Sequence, residues 1–216
     1  MTTNNSQLRH GRITTPKTRG LVATDLGLIG EWENNEMEGG KNFPDLNAGP
    51  VPAPFQADNP SNIPPKDGLI LSGGHAGNRE SVNFTDQEMQ QKLRALGKAD
   101  DSFSWPKIAV KPGELFDVKW AYTAPHTTRG YRWFITKDGW NPQARITRDQ
   151  LEVAPFSEDF YPFVPYYSHQ AKLVAKTNHQ VLLPTGKKGH HVIVLLWIVA
   201  NSGNAFYQAF DVDFGA

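Results

Sequence analysis

Seven histidines and no cysteine limit the metal chemistry that this chain can offer. The absence of thiols excludes disulfides, thiolate metal sites and a cysteine nucleophile, so imidazole rings are the candidate metal donors. His190 and His191 are neighbours in a strand-like segment, and neighbouring strand residues point to opposite faces, which argues against a shared site. His126, taken by itself, is typical of a solvated loop histidine. Other residues must therefore support any metal site.

Several strand-like segments could position such residues. They span 116–122, 131–136, 192–200 and 206–214. In the first, Phe116, Val118 and Trp120 alternate with polar residues, which is the period of a half-buried strand. The third is a continuous apolar run, as expected of a strand covered on both faces. Short strands separated by turn signals, such as that at 111–114, predict a mainly β sandwich or barrel.

One helix is indicated after residue 85. Thr85 and Glu88 have the spacing of a capping box, with Phe84 and Met89 placed as a hydrophobic staple. Gly97 is a natural stop signal after an apolar stripe formed by Met89, Leu93 and Leu96. The pattern predicts a helix between these signals.

Residues 21–82 form a long segment rich in glycine, proline and asparagine. Such an irregular insertion in a compact domain is usually functional or disordered. The aromatic residues within it, Trp32, Phe43 and Phe55, argue against disorder. No repeat or low-complexity tract divides the chain, so we expect one domain at 10–216 preceded by a polar segment at 1–9.

Four segments of the chain occur together in a recognisable order and spacing. They are His10-Gly11 with Pro16 and Arg19, Trp32-Glu33 with Glu38-Gly39 and Phe43-Pro44, the stretch 120–136 around His126, and the stretch 197–213. Together they resemble the bacterial chitin-active lytic polysaccharide monooxygenases of auxiliary activity family 10, formerly called chitin-binding proteins. The resemblance implies an immunoglobulin- or fibronectin-III-like β-sandwich with a long, partly helical loop insertion.

The resemblance also implies a copper site. His10 would supply two ligands, its ring nitrogen and its backbone amine, and His126 would supply the third. Ala124 and Phe206 would lie near the two axial faces of the metal, and Glu38 would lie close to where oxygen or peroxide is activated. Two imidazoles and an amine suit copper, and a buried glutamate can move a proton. The implied activity is oxidative cleavage of crystalline chitin at C1 of its β-1,4 linkages.

A crystalline substrate cannot enter a pocket, so the site should lie on a flat face of the protein. The resemblance places Trp32, Glu33, Asn201 and Asn204 on that face. The tryptophan would stack on a sugar, and the polar side chains would hydrogen-bond its hydroxyl and acetamido groups. The expected partners are chitin, an external electron donor, and oxygen or hydrogen peroxide, and the protein is expected to be monomeric.

Residues 1–9 depart from this pattern. With Arg9 attached, the nitrogen of His10 is an amide, whose lone pair is delocalised into the carbonyl and is not a basic donor. The copper activity therefore requires removal of residues 1–9. These residues are polar and lack the apolar core of a signal peptide, although the resemblance implies an extracellular protein.

Composition excludes other classes of partner. Lys+Arg and Asp+Glu both number 22, so the net charge is zero and the basic excess of a nucleic-acid-binding protein is absent. The longest apolar run, at 192–200, is too short to span a membrane. Two alternatives to the enzyme stay open: a non-catalytic chitin- or carbohydrate-binding protein of the same fold, and a structural or adhesion protein.

Overall fold

The protein is described here by a computed structural model that covers residues 10–98, 101–124 and 126–215. Two sheets pack face to face, which confirms the predicted β-sandwich. The three-stranded sheet has the order β1-β4-β7 and the larger one the order β2-β9-β8-β5-β6, with β3 parallel to β9. Their bounds are β1 Gly11–Thr15, β2 Glu38–Gly40, β3 Ile108–Ala109, β4 Leu115–Tyr122, β5 Thr128–Ile135, β6 Ser157–Phe160, β7 Asn178–Leu182, β8 His190–Val199 and β9 Asn204–Asp213.

The apolar run at 192–200 forms the central strand β8, whose side chains pack into two hydrophobic clusters, one on each face of the large sheet. Residues 192–199 are all buried. Ile193, Leu195 and Trp197 join the cluster between the two sheets, whereas Val194 and Leu196 join the cluster beneath the loop insertion. Since side chains alternate across a strand, a run apolar at every position must be covered on both faces, and the sequence-based prediction is confirmed.

Strand β4 shows the opposite pattern, also as predicted. Phe116, Val118 and Trp120 are buried against the large sheet, and the intervening Asp117 and Lys119 are exposed. One face of the small sheet is thus solvated, which a period of two requires.

Within the described residues of the first half of the chain, the α-helices are α1 at Arg19–Asp25, α2 at Glu31–Asn35 and α3 at Asp86–Ala95. The capping box of α3 is confirmed: Thr85 Oγ1 accepts from Glu88 N at 3.2 Å, and Glu88 Oε2 accepts from Thr85 N at 2.9 Å. Leu96, predicted to extend the apolar stripe, is instead exposed because the helix ends before it. In the described part of the chain, no helix is both long and apolar enough to cross a membrane.

Two buried ion pairs attach the start of α1, just before the insertion, and the insertion itself to the large sheet. Arg19 of α1 donates to both carboxylate oxygens of Asp211 on β9, at 2.6 and 2.9 Å. Arg129 of β5 donates to both oxygens of Asp58 in the insertion, at 2.6 and 2.8 Å. Removing one partner of such a pair typically costs about 3–5 kcal/mol, because a buried charge is left uncompensated. The insertion is therefore tightly anchored at both points.

The prediction of a separate polar segment at residues 1–9 falls outside the described residues. The division of the chain at residue 10 stays a prediction.

Candidate functional site

His10 is held at the edge of the small sheet, where β1 pairs with β4. The carbonyl oxygen of His10 accepts hydrogen bonds from Thr123 N at 2.9 Å and Thr123 Oγ1 at 3.0 Å. The next residue, Gly11, lies opposite Tyr122, and a Cβ at Gly11 would fall 2.6 Å from Cδ1 of the tyrosine ring. A glycine is needed here so that the Tyr122 ring can pack over the strand. This contact gives a steric reason for the His-Gly pair seen in the sequence.

The side chains of His10 and His126 both pack against Phe206. The ring centroid of Phe206 lies 5.8 Å from that of His10 and 5.7 Å from that of His126. Phe206 is fully buried on β9 and stacks on Trp197 at 4.6 Å, so it has little freedom to move. Thr128 Oγ1 donates to the carbonyl oxygen of His126 at 3.2 Å and fixes the loop from which that ring projects. The two histidines, distant in sequence, thus share one aromatic support.

Two carboxylates face the His10 ring. Glu38 Oε1 lies 3.3 Å from Nε2, and Glu36 Oε1 lies 3.6 Å from Nδ1. Strand β2 pairs with β9 so that Glu38 lies opposite Phe206, which brings the carboxylate and the phenyl ring to the same place. Asn204 Nδ2 donates to Glu38 Oε2 at 3.0 Å. Burial raises the pKa of Glu38, while the nearby His10 and the hydrogen bond from Asn204 oppose that rise.

The donor set fits copper, provided that a third nitrogen is supplied. The described residues contain no group of three or more His, Cys, Asp or Glu side chains arranged to hold a metal. His10 and His126 would supply two nitrogen donors, and the remaining donor would be the backbone nitrogen of His10, which must be a free amine to coordinate. Nitrogen donors of this kind favour Cu(II), and the apolar ring of Phe206 would keep water from one side of the pair.

Trp32 lies on the surface near this site. It is 59% exposed, and its indole ring extends across Gly30, where a Cβ would lie 3.0 Å from the ring. The guanidinium of Arg79 lies 5.9 Å from the ring centroid. An exposed ring with a fixed orientation is suited to stacking on a flat ligand.

The structure corrects the prediction that Glu33 lies on the substrate face. Glu33 is buried at the third position of α2, and its Oε2 accepts from Gly30 N at 2.7 Å. The side chain makes one half of a capping box at the start of this five-residue helix, and Gly30 has no side chain to make the other half. Its carboxylate satisfies an otherwise unpaired backbone N–H, which explains why it turns away from the surface.

The amide of Asn204 contacts other protein groups at both ends. Besides donating to Glu38, it accepts from Asn62 Nδ2 at 2.7 Å through its Oδ1. Asn204 is therefore placed to orient Glu38 as well as to border the surface.

Asn201 lies in the turn between β8 and β9, and its carbonyl oxygen accepts from Asn59 Nδ2 at 3.0 Å. Ala124 is partly buried in the bend after β4, two positions before His126.

Glu36 and Arg79 were not identified from the sequence. Arg79 Nη1 donates to the carbonyl oxygen of Glu36 at 2.9 Å and lies 3.7 Å from its carboxylate. Glu36 precedes Glu38 by two residues, and this spacing favours carboxylates on one side of an extended chain. The spacing of the two glutamates could therefore have been noticed in the sequence, but no residue near Arg79 in the sequence indicates that its side chain reaches Glu36.

His75 lies beside the site, where it interacts with Glu36, Arg79 and the backbone of Glu38, whereas His179, His190 and His191 have partners elsewhere. His190 Nε2 lies 2.8 Å from Asp211 Oδ1, whereas His191 is buried with its Nδ1 2.9 Å from Thr136 Oγ1. The two rings therefore have different hydrogen-bond partners. His179 is buried beside Tyr131, with ring centroids 4.3 Å apart.

The sequence is similar to a protein-family profile and to several known proteins. A family profile described as lytic polysaccharide mono-oxygenase, cellulose-degrading, matches residues 10–212. The GlcNAc-binding protein A of Aliivibrio fischeri is 29% identical over 191 residues, which cover 88% of this chain and 30% of that protein. The lytic chitin monooxygenase of Enterococcus faecalis is 37% identical over 109 residues, covering 50% of this chain and 51% of that protein. The chain thus spans less than two thirds of these relatives.

Two solved structures resemble the whole sandwich. A chitin binding domain from Burkholderia pseudomallei has a TM-score of 0.83 at 34% identity, covering 96% of this chain and 100% of that one. An AA10 lytic polysaccharide monooxygenase from Streptomyces lividans has a TM-score of 0.68 at 29% identity, covering 95% and 100%.

Proposed function

Because the chain belongs to the lytic polysaccharide monooxygenase family, whose profile matches residues 10–212, we propose that it cleaves crystalline chitin oxidatively with copper held by His10 and His126. The observation that carries the proposal is the convergence of both imidazole rings on Phe206, with Glu38 beside His10. This arrangement combines nitrogen donors, a water-excluding apolar ring and a carboxylate at one place.

Chitin is favoured over cellulose by two observations. Although the family profile carries a cellulose-degrading description, similar proteins are named for binding GlcNAc and for lytic action on chitin. In addition, Asn204 contacts both Glu38 and Asn62, and Asn59 contacts Asn201 at the same turn. Amide side chains both donate and accept hydrogen bonds, which suits the acetamido group that distinguishes chitin from cellulose.

Copper, when bound, supplies one-electron chemistry that uses an external reductant together with oxygen or peroxide and leads to oxidation at C1. The protein residues have separate tasks. Glu38 Oε1, 3.3 Å from His10 Nε2, holds or delivers a proton at the open side of the site. Asn204 orients the other oxygen of that carboxylate. Phe206 fixes both imidazoles, and Trp32 holds the polysaccharide at the surface.

The proposed active form begins at His10. A free α-amine has a pKa of roughly 7.7–8.0 and is available as a donor near neutrality, whereas the amide formed with Arg9 is not. We therefore propose cleavage between Arg9 and His10 and action on chitin outside the cell.

The test uses the chain prepared to begin at His10, loaded with copper and given a reductant and β-chitin. Mass spectrometry should detect C1-oxidised oligosaccharides. His126→Ala should abolish their release while leaving most of the chitin binding. Leu182→Ala is a control, because Leu182 is 60% exposed on β7 and pairs with the end of β4 that is remote from His10. Oxidised products from His126→Ala at the parent rate would contradict the proposal.

A non-catalytic chitin-binding protein is the second candidate. The name GlcNAc-binding protein A, shared by several relatives, favours it, since the surface residues need no metal to contact sugar. A chain that binds chitin but shows no nitrogen-coordinated Cu(II), even when it begins at His10, would establish this function. Failure to bind chitin at all would leave only a structural or adhesion role.

A further inference from the structure

Four asparagines form a polar strip beside the turn that joins β8 to β9. Asn62 Nδ2 donates to Asn204 Oδ1 at 2.7 Å, and Asn59 Nδ2 donates to the carbonyl oxygen of Asn201 at 3.0 Å. The backbone N–H groups of Asn59 and Asn62 also donate to that turn, at 3.0 and 2.9 Å. The strip is therefore held by both side-chain and backbone hydrogen bonds. Its Asn204 end contacts Glu38.

A pair of tyrosines lies against the other end of this strip. Tyr166 Oη donates to Asn59 Oδ1 at 3.3 Å. Tyr167 packs edge-on against Tyr166, with ring centroids 5.7 Å apart and an interplanar angle of 75°. The segment that carries the pair is tied to the strand following His126, because Thr128 N donates to the carbonyl oxygen of Leu173 at 2.8 Å. The pair is thus fixed at the same end of the sandwich as the histidines.

Two aromatic residues, Tyr167 and Trp32, are more exposed to solvent than the others. Tyr167 is 61% exposed and Trp32 is 59% exposed. Every other phenylalanine, tyrosine and tryptophan within residues 10–98, 101–124 and 126–215 is partly or fully buried. The two exposed rings are near opposite ends of the strip, since Trp32 lies on the helix before Glu38 and Tyr167 lies beyond Asn59. Exposed aromatics grouped on one face with polar residues between them mark a binding surface.

We propose that Tyr167 is a second sugar-stacking residue, so that the chitin-facing surface runs from Trp32, across the asparagine strip, to Tyr167. The apolar face of an N-acetylglucosamine ring would cover the phenol ring, while the amides between the two aromatics contact acetamido and hydroxyl groups. This inference rests on the proposed function, because it assumes that chitin is the ligand.

Binding isotherms on β-chitin particles, with copper absent, test the inference independently of catalysis. Tyr167→Ala should weaken binding about tenfold, as expected when a stacking contact is lost. Tyr167→Phe keeps the ring and should bind as the parent does. Leu115→Ala is the matched control, because Leu115 is 59% exposed at the end of β4 remote from His10. Thermal unfolding of each variant checks that the fold is retained.

The outcomes separate this inference from the proposed function. If Trp32→Ala weakens binding and Tyr167→Ala does not, the inferred contact is wrong while the proposed function stands. If the parent protein itself fails to bind β-chitin, both are overturned. Equal weakening by Tyr167→Ala and Tyr167→Phe would contradict stacking and indicate that the hydroxyl makes the contact.

Discussion

Replacing Trp32 with alanine should weaken chitin binding while leaving the fold and the metal site intact. Trp32 is 59% exposed, and a sugar stacked on one face would cover roughly 75 Å² of the exposed ring. At about 25 cal/mol per Å², that contact contributes about 2 kcal/mol. The binding constant should therefore fall roughly 30-fold. Because most of the ring is already in water, the free energy of unfolding should change by about 1 kcal/mol or less.

The assay is partition of the copper-free chain between buffer and β-chitin at several protein concentrations. Leu182→Ala is the matched control, since Leu182 is 60% exposed on β7 and should contribute nothing to binding. Cu(II) affinity, measured in parallel, should be the same in the parent and in Trp32→Ala. Unchanged partition of Trp32→Ala would refute the assignment of Trp32 to the substrate face. A large loss of copper affinity would show that the ring instead supports the metal site.

Three further predictions concern the carboxylate, the aromatic support and the buried histidine. Glu38→Gln keeps the shape of the side chain but cannot take up or release a proton. The release of oxidised oligosaccharides should therefore fall about 100-fold or more, while the Cu(II) affinity is largely retained. An undiminished rate would exclude Glu38 from proton transfer. Phe206→Ala leaves a cavity beneath both imidazoles and should lower the free energy of unfolding by about 3–5 kcal/mol in urea denaturation; a loss below about 1 kcal/mol would mean that the ring is not tightly packed. Burial, and to a smaller extent Lys176, lowers the pKa of His179 to about 4 from 6.5, so the unfolded chain takes up the proton first as pH falls. Stability present above pH 6.5 is then lost progressively towards pH 4, by up to about 3 kcal/mol; His179→Leu should flatten this dependence, and an identical profile in the variant would contradict it.

Local patterns in the sequence were sufficient for the strands and for α3. The period of two at 116–122 requires one solvated face, and the unbroken apolar run at 192–200 requires two covered faces. Thr85 and Glu88 specify a helix start through hydrogen bonds within four residues of chain. These features are determined by neighbouring residues, so they can be predicted without tertiary contacts.

The helices α1 and α2 could not be predicted in the same way. They have seven and five residues, too few to show a clear apolar period or to be stable alone. Arg19 begins α1 and is held by a buried aspartate 192 positions away. Glu33 was assigned to the surface by resemblance. Its carboxylate instead accepts a hydrogen bond from the N–H of Gly30, the residue that precedes α2. Both outcomes depend on contacts that the local sequence does not specify.

The candidate site illustrates the same limit. His10 precedes β1, His126 follows β4, and the residue that both rings contact, Phe206, lies on β9. Only resemblance to a known family could bring these positions together before the structure. The structure then added Glu36 and Arg79, whose positions follow from the packing of the insertion, and the packing of the loop at 161–173 led to the proposal for Tyr167.

The proposed copper site requires that one free amine and two imidazoles bind the same copper ion. Cu(II) titration with electron paramagnetic resonance should compare the chain beginning at His10, the chain beginning at Met1, and His126→Ala in the His10 form. The His10 form should bind one Cu(II) in an axial, nitrogen-coordinated environment. The other two should bind more weakly by over about 100-fold, because even residues that only orient metal ligands are worth about 10–100-fold. Equal affinity and identical spectra for all three chains would contradict the proposed site.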